Sequence, residues 1–338
     1  MPDLRFSVLV LVATLAIAEI VAAPTSLAAE CQLVKVATLP VTVTPQNQIL
    51  IGGSIKGQPA LFQIDTGASD TTFDVSVFSK FGIVNTGREI RGIGATGEIS
   101  GIATDVPELV IGNFRILSQY QIVASRHFLP DGIYALFGED FFIAHDLDID
   151  IKNKVINLMK YNECPTEPIY WSDHFSEADL IIRYNKIFLT VEINGQRAAA
   201  VFDTGATTTV ISKSLARRLG VDTDSPGVVT LGTARGVDMR GTTEYGYRFS
   251  EIRVGDEVIK NPFLGIINLS PLKYDSASAI RIQDSNVQDY DVMLGADFIK
   301  AHHIYIETRQ RKMYFTYSGD SAIFPAPIPS KPSTAQAN

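Results

Sequence analysis

Leu61-Phe62-Gln63-Ile64-Asp65-Thr66-Gly67-Ala68-Ser69 is an apolar run that breaks into an acid, a hydroxyl and a glycine. It returns downstream as Ala199-Ala200-Val201-Phe202-Asp203-Thr204-Gly205-Ala206-Thr207. One Asp-Thr-Gly is most simply a surface turn, because Asp and Gly are turn residues anyway. Two copies in matching contexts imply one site assembled from two halves. The copies lie 138 residues apart, and the same offset carries Ile55, Gly57, Gln58 and Ala60 onto Ile193, Gly195, Gln196 and Ala198. Downstream it carries Ala68, Thr71, Ser76 and Gly82 onto Ala206, Thr209, Ser214 and Gly220. Each copy reads as strand, small turn, strand, acidic turn, strand and a short helix ending at Gly.

A second block, Gly138-Glu139-Asp140-Phe141 to Ala144-His145, recurs at an offset of 157 as Gly295-Ala296-Asp297-Phe298 to Ala301-His302. The second half therefore holds 19 extra residues between its blocks, placed in the polar stretch from Leu269 to Asp291. A repeat of this size means duplicated domains rather than a solenoid. Strand patterning dominates both halves: alternation is plain in Asp146-Leu147-Asp148-Ile149-Asp150-Ile151 and Ile304-Tyr305-Ile306, with Gly or Asn turns between segments. Short helices are expected at Val75 to Phe81, Glu139 to Ala144, Lys213 to Leu219 and Asp297 to Ala301.

The doubled Asp-Thr-Gly-Ala-Ser/Thr, each followed downstream by an apolar-apolar-Gly segment (Ala135-Leu136-Phe137-Gly138 and Val292-Met293-Leu294-Gly295), resembles the aspartic proteases. Ala after each Gly, the compact halves and the hairpin signal Gly92-Ile93-Gly94 resemble retropepsins more than pepsins. The chain departs from a retroviral enzyme in joining two unequal halves covalently, and it shows no counterpart of the pepsin flap tyrosine. The resemblance implies an all-β, bilobal fold of the duplicated six-stranded-barrel type with short helices. Lobes are expected at residues 32–160 and 178–318, a linker at 161–177 and a disordered, proline-punctuated tail at 319–338.

It further implies an aspartic endopeptidase, probed by peptide or protein substrates and needing no cofactor or metal. Without a metal or covalent nucleophile, one group must take a proton from water while another gives one to the carbonyl oxygen. Two carboxyls about 3 Å apart can share one proton and do both, which is the pattern of this family. Asp65 and Asp203 are the catalytic pair on this reading. Gly67 and Gly205 let the backbone approach closely, Thr66 and Thr204 cross-link the two loops, and Thr71 and Thr209 follow on the next strands. Ala68, Ser69, Asp70, Ala206 and Thr207 would line the cleft. Gly92, Ile93 and Gly94 belong to a flap hairpin, Arg91 to Ile102, with a partner at Leu231 to Thr242. The rival reading is a catalytically inactive peptide-binding or cell-envelope scaffold, against which stand intact acids in both halves.

Composition agrees: 338 residues, 46% apolar and 20% charged, suffice for two cores. A net charge of −8 argues against nucleic acid, which wants a basic face. The internal duplication points to a monomer. Val8 to Ala18 is apolar and too short to span a bilayer, and small residues follow through Ala29. It reads as a signal peptide over residues 1–29, hence an exported, periplasmic or secreted protein with no stable membrane insertion after cleavage. Glu30 before Cys31 rules out a lipoprotein signal. In an oxidising compartment Cys31 and Cys164 are expected to form a disulfide, tying the mature N-terminus to the linker, with two separate thiols as the alternative.

Three further motifs have plainer explanations. Gly92-Ile93-Gly94-Ala95-Thr96-Gly97 matches a dinucleotide fingerprint literally, but no helix follows it. Asp146, Asp148 and Asp150 mimic a calcium loop, yet Ile151 and Asn157 stand at the Gly and Glu positions, so the aspartates are expected on the solvent face of a strand. His302-His303 lacks the spaced ligands of a metal site, and His145 at the matched place suggests a shared structural role.

Overall fold

The computed structural model describes residues 33–93, 98–161, 169–236, 241–269, 290–319 and 322–326. The leader, Cys31, Cys164, Gly94, most of the insert after Leu269 and the last residues of the chain lie outside them. In the first half the strands are β1 (Lys35–Val43), β2 (Ile49–Ile55), β3 (Gln58–Ile64), β4 (Thr72–Phe73), β5 (Glu89–Ile93), β6 (Glu98–Ile111), β7 (Phe114–Ala124), β8 (Ile133–Phe137), β9 (Asp146–Asp150) and β10 (Val155–Met159). Helices α1 (Val77–Phe81) and α2 (Glu139–Phe142) fall within the expected helical segments.

The second half repeats the order. It contains β11 (Ser176–Arg183), β12 (Lys186–Ile193), β13 (Gln196–Phe202), β14 (Val210–Ser212), α3 (Lys213–Arg218), β15 (Val229–Arg235), β16 (Gly241–Arg248), β17 (Glu251–Val254) and β18 (Glu257–Lys260). The half closes with β19 (Phe263–Ile267), β20 (Val292–Leu294), α4 (Ala296–Ile299), β21 (His302–Glu307) and β22 (Lys312–Tyr317). Local chemistry sets the helix ends: α1 stops at Gly82 in the left-handed region (φ 61°), and Ser212 caps α3 by accepting from the Leu215 N–H.

In the first lobe β2, β3, β8, β4, β7 and β6 pair in sequence and β6 returns to β2, closing a six-stranded barrel. Apolar residues that alternate along these strands fill it, with Phe62, Phe73 and Phe137 in mutual ring contact at 5.0 to 6.5 Å. The second lobe follows the same circuit through β12, β13, β20, β14, β19 and β16. There the strand matching β6 is broken at Phe249 and Ser250, and its second piece, β17, returns to β12.

A third sheet joins the lobes. Its antiparallel order is β1-β10-β9-β21-β22-β11, so that each half gives three strands and β9 meets β21 at the centre. β1 and β11 each run on from this sheet into their own barrel. Residues from Leu33 onward thus form one unit.

This sheet corrects one expectation. Asp146 and Asp148 are fully buried and Asp150 is 8% exposed, so they are not the solvent face of a strand. Asp148 accepts hydrogen bonds from Tyr170 Oη (2.6 Å) and Asn157 Nδ2 (2.8 Å), and His303 Nε2 lies 2.6 Å from its other oxygen. The Trp171 ring stacks on His303 at 3.5 Å. Alternation reveals that a strand has two faces, but not that aromatic residues from the segment before β11 will fold over the polar one. Beyond residue 318, Phe324 is also buried: it packs on Phe298, and its carbonyl accepts from the Phe263 N–H (3.2 Å).

Candidate active site

β3 and β8 run parallel, and at their ends the Asp65 N–H donates to Phe137 O (2.8 Å). The matched strands β13 and β20 hold Asp203 in the same way, through Leu294 O (3.0 Å). Each chain then turns sharply, and the turn supplies donors to its own acid. Asp65 Oδ1 accepts from the Ala68 N–H (3.0 Å), while Asp203 Oδ1 accepts from the N–H groups of Gly205 (2.8 Å) and Ala206 (3.1 Å).

The two turns are locked to one another. The Thr66 N–H donates to Thr204 Oγ1 (3.0 Å), the Thr204 N–H donates to Thr66 Oγ1 (3.1 Å), and Thr66 Oγ1 donates to Phe202 O (2.9 Å). A Cβ on Gly67 would stand 2.4 Å from the Asp203 carboxyl carbon, and one on Gly205 would stand 2.4 Å from that of Asp65. Only glycine lets each loop pass beneath the opposite acid. The structure therefore brings Asp65, Thr66, Gly67, Asp203, Thr204 and Gly205 together.

Burial decides the electrostatics. Desolvation pushes the Asp65 carboxyl well above the usual carboxylate range, and the negative charge of Asp203 adds to the rise. Desolvation raises Asp203 too, opposed by the positive charge of Lys186 and by its donors at Ala206 and Gly205. Two backbone donors on Asp203 against one on Asp65 favour the negative charge on Asp203. The pair titrates as a unit.

Residues beyond the motif complete the support: Thr71, Thr209, Gly138 and Gly295 stand in the segments that the sequence singles out, whereas Asp140, Asp297, Asn47, Asn185, Gln48 and Gln63 gain a role only from the structure. The N–H and Oγ1 of Thr71 donate to Asp140 Oδ1 (2.8 and 2.7 Å), and Thr71 Oγ1 accepts from the Gly138 N–H. Thr209, Asp297 and Gly295 repeat the arrangement, with Thr209 Oγ1 2.6 Å from Asp297 Oδ1. Asn47 Nδ2 donates across the lobes to Thr207 O (3.0 Å), and Asn185 Nδ2 to Ser69 O (3.5 Å). One buried relay has no twin: Gln48 Nε2 donates to Gln63 Oε1, and Gln63 Nε2 to Gly205 O. The matched positions are Lys186 and Val201. The signals that could have exposed these residues were the Asp shared by both Gly-x-Asp-Phe blocks and the Asn pair at the 138-residue offset.

Among the expected cleft residues, Ala68 and Ala206 face their acids through N–H groups, and their carbonyls accept from Glu139 N and Ala296 N. Ser69 and Thr207 meet the opposite lobe through their carbonyls, and Asp70 is exposed. Gly92 and Ile93 pair with Ile99 and Glu98 in the β5–β6 hairpin. In the second lobe β15 and β16 form the matched hairpin, with a bulge between Thr230 and Gly232.

Two barrels that each carry an acid on a locked glycine turn, joined by a common sheet, define a bilobal protein built around a carboxyl pair. A family model described as aspartyl protease matches residues 51–141 and 189–298, one stretch in each half. These stretches make up more than half of the chain, which belongs to the retropepsin-like aspartyl protease family. No curated protein matches it.

Proposed function

We propose that the chain is an endopeptidase in which Asp65 and Asp203 activate water against a peptide bond. The observation that carries this reading is two buried acids on loops that Thr66 and Thr204 lock together and that Gly67 and Gly205 let pass beneath the opposite carboxyl. Asp203, better supplied with donors, holds the negative charge and takes a proton from the attacking water. Asp65 gives its proton to the carbonyl oxygen as the tetrahedral centre forms. Asp203 then gives its proton to the nitrogen, the C–N bond breaks, and Asp65 regains a proton from a hydroxyl of the tetrahedral centre as that centre collapses to the carboxylic acid. Each step uses the same pair in alternating roles, so neither acid can act alone.

Asp65→Asn and Asp203→Asn are each expected to lose several orders of magnitude in kcat/KM with an unchanged circular dichroism spectrum, and the double variant to lose little more. Peptide-library cleavage over a pH series checks this. Substantial turnover in either single variant would overturn the assignment. A wild type that holds peptides but cleaves none would make the chain a binding scaffold.

A further inference from the structure

The two lobes are near copies, so positions where they differ within the same geometry are informative. Strand register aligns them residue by residue. β4 sets Thr72 beside Ile122 in the first lobe, as β14 sets Val210 beside Gly265 in the second. One strand further on, Gly101 faces Ala124 and Ile102 faces Val123, while Tyr245 faces Ile266. Glu244 therefore occupies the place of Gly101, and Gly265 the place of Ile122.

The exchange is reciprocal. In the first lobe a Cβ on Gly101 would stand 3.1 Å from Ile122 Cγ2. In the second a Cβ on Gly265 would stand 2.7 Å from Glu244 Oε1 and 2.7 Å from Val210 Cγ1. The same niche is thus filled by an aliphatic side chain in one lobe and by a carboxyl in the other.

Through Val210 this niche adjoins a cluster on the strands that carry Asp203. Val210 and Ile267 pack with Phe188, Val201, Met293 and Tyr290, a cluster distinct from the barrel core that holds Ile211 and Ile266. Val201 stands two residues before Asp203 on β13 and pairs with Met293 on β20, which sets that cluster along the strands that end at the acid. Glu244 shares the face of Gly265 and Val210, whereas its neighbour Tyr245 turns to the core.

Glu244 is half-buried and has no hydrogen-bond or ion-pair partner among the described residues. Lys213 does not serve it, since its ammonium lies 4.8 Å above the Tyr245 ring. Burial raises the Glu244 carboxyl, and no described residue offsets it. An acid left in that state is complemented best by a cation from outside.

We propose that Glu244 forms a cation-recognising subsite on the second-lobe wall, which takes a Lys or Arg side chain of the substrate while the matched niche at Ile122 takes an apolar one. The proposal rests on the protease reading and gives it a direction: the bound peptide would be basic on one side of the scissile bond and apolar on the other. The test is competitive cleavage of a peptide library in which lysine, norleucine and glutamate alternate at each position, by the full chain, Glu244→Gln and Glu244→Lys.

Wild type should favour lysine about tenfold or more at one position, matching a hydrogen bond to a charged group. Glu244→Gln should bring that ratio close to one, and Glu244→Lys should turn the preference toward glutamate. Cleavage that depends on Asp65 but shows no basic preference, or a preference that survives Glu244→Gln, overturns the subsite and leaves the protease reading intact. If nothing is cleaved, that reading fails instead, and retention on the same immobilised peptides decides the subsite. Loss of lysine-dependent retention in Glu244→Gln supports it, and equal retention of lysine and norleucine peptides overturns it.

Discussion

Gly67 and Gly205 are the residues at which sequence and mechanism meet most directly, because each is small for the sake of the acid on the other loop. Gly205→Ala would drive a methyl group to 2.4 Å from Asp65 Cγ, so the carboxyls would have to separate. A displacement of about 1 Å in a reacting constellation costs on the order of a hundredfold in rate. We expect kcat/KM to fall at least that far in Gly205→Ala while far-UV dichroism stays unchanged; activity within threefold of wild type, an order-of-magnitude margin on the same scale, would contradict the packing. These glycines were legible because the motif is contiguous and doubled. Asp140 and Asp297 were not, although their block was visible as a repeat. Their partners, Thr71 and Thr209, lie 69 and 88 residues away, and an acid in the first turn of a short helix already has an ordinary explanation in the helix dipole.

At the scale of elements the shared sheet explains why the halves stay in register around the site. β9 and β21 meet at its centre, and the buried Asp148 couples His303 of one half to Asn157 of the other. Burial alone would raise the Asp148 carboxyl, but hydrogen bonds from His303, Tyr170 and Asn157 outweigh it and hold the carboxyl below its usual range. A depressed carboxylate contributes stability that is present above its unfolded value, near pH 4, and is lost as pH falls through the folded one. Asp148→Ala should therefore cost about 3 kcal/mol at pH 6, as expected for a broken buried pair, with the gap narrowing as the pH drops below about 4. Urea titrations of both proteins across that range check it, and a pH-independent difference would refute it. The barrel strands could be read from alternation and turn residues. The shared sheet could not, since which strands meet across the halves is a tertiary choice that no local pattern records.

The whole molecule combines two opposite pH dependences. Asp148 favours folding as pH rises, whereas burial raises Asp65, Asp203, Glu139, Asp140 and Asp297. A raised carboxyl contributes stability in full below its unfolded value and loses it as pH climbs through the folded one. The carboxyl pair is thus a liability near neutral pH, retained where two like charges are confined together. In Asp65→Asn the amide oxygen can still accept from the Ala68 N–H, and the amide N–H can replace the shared proton toward Asp203. The variant keeps the hydrogen bonds and removes the cost of burying an acid whose folded value lies above its unfolded one. We expect it to unfold later than wild type at pH 7, by on the order of 1 kcal/mol, the scale of an ordinary single substitution. The difference should vanish toward pH 3, where the wild-type pair is protonated. Because both barrels share one sheet, each protein should melt in a single transition, so the comparison is well defined. Thermal melts from pH 3 to 8 decide it: a variant no more stable than wild type at neutral pH would show that the buried Asp65 carboxyl carries no such cost.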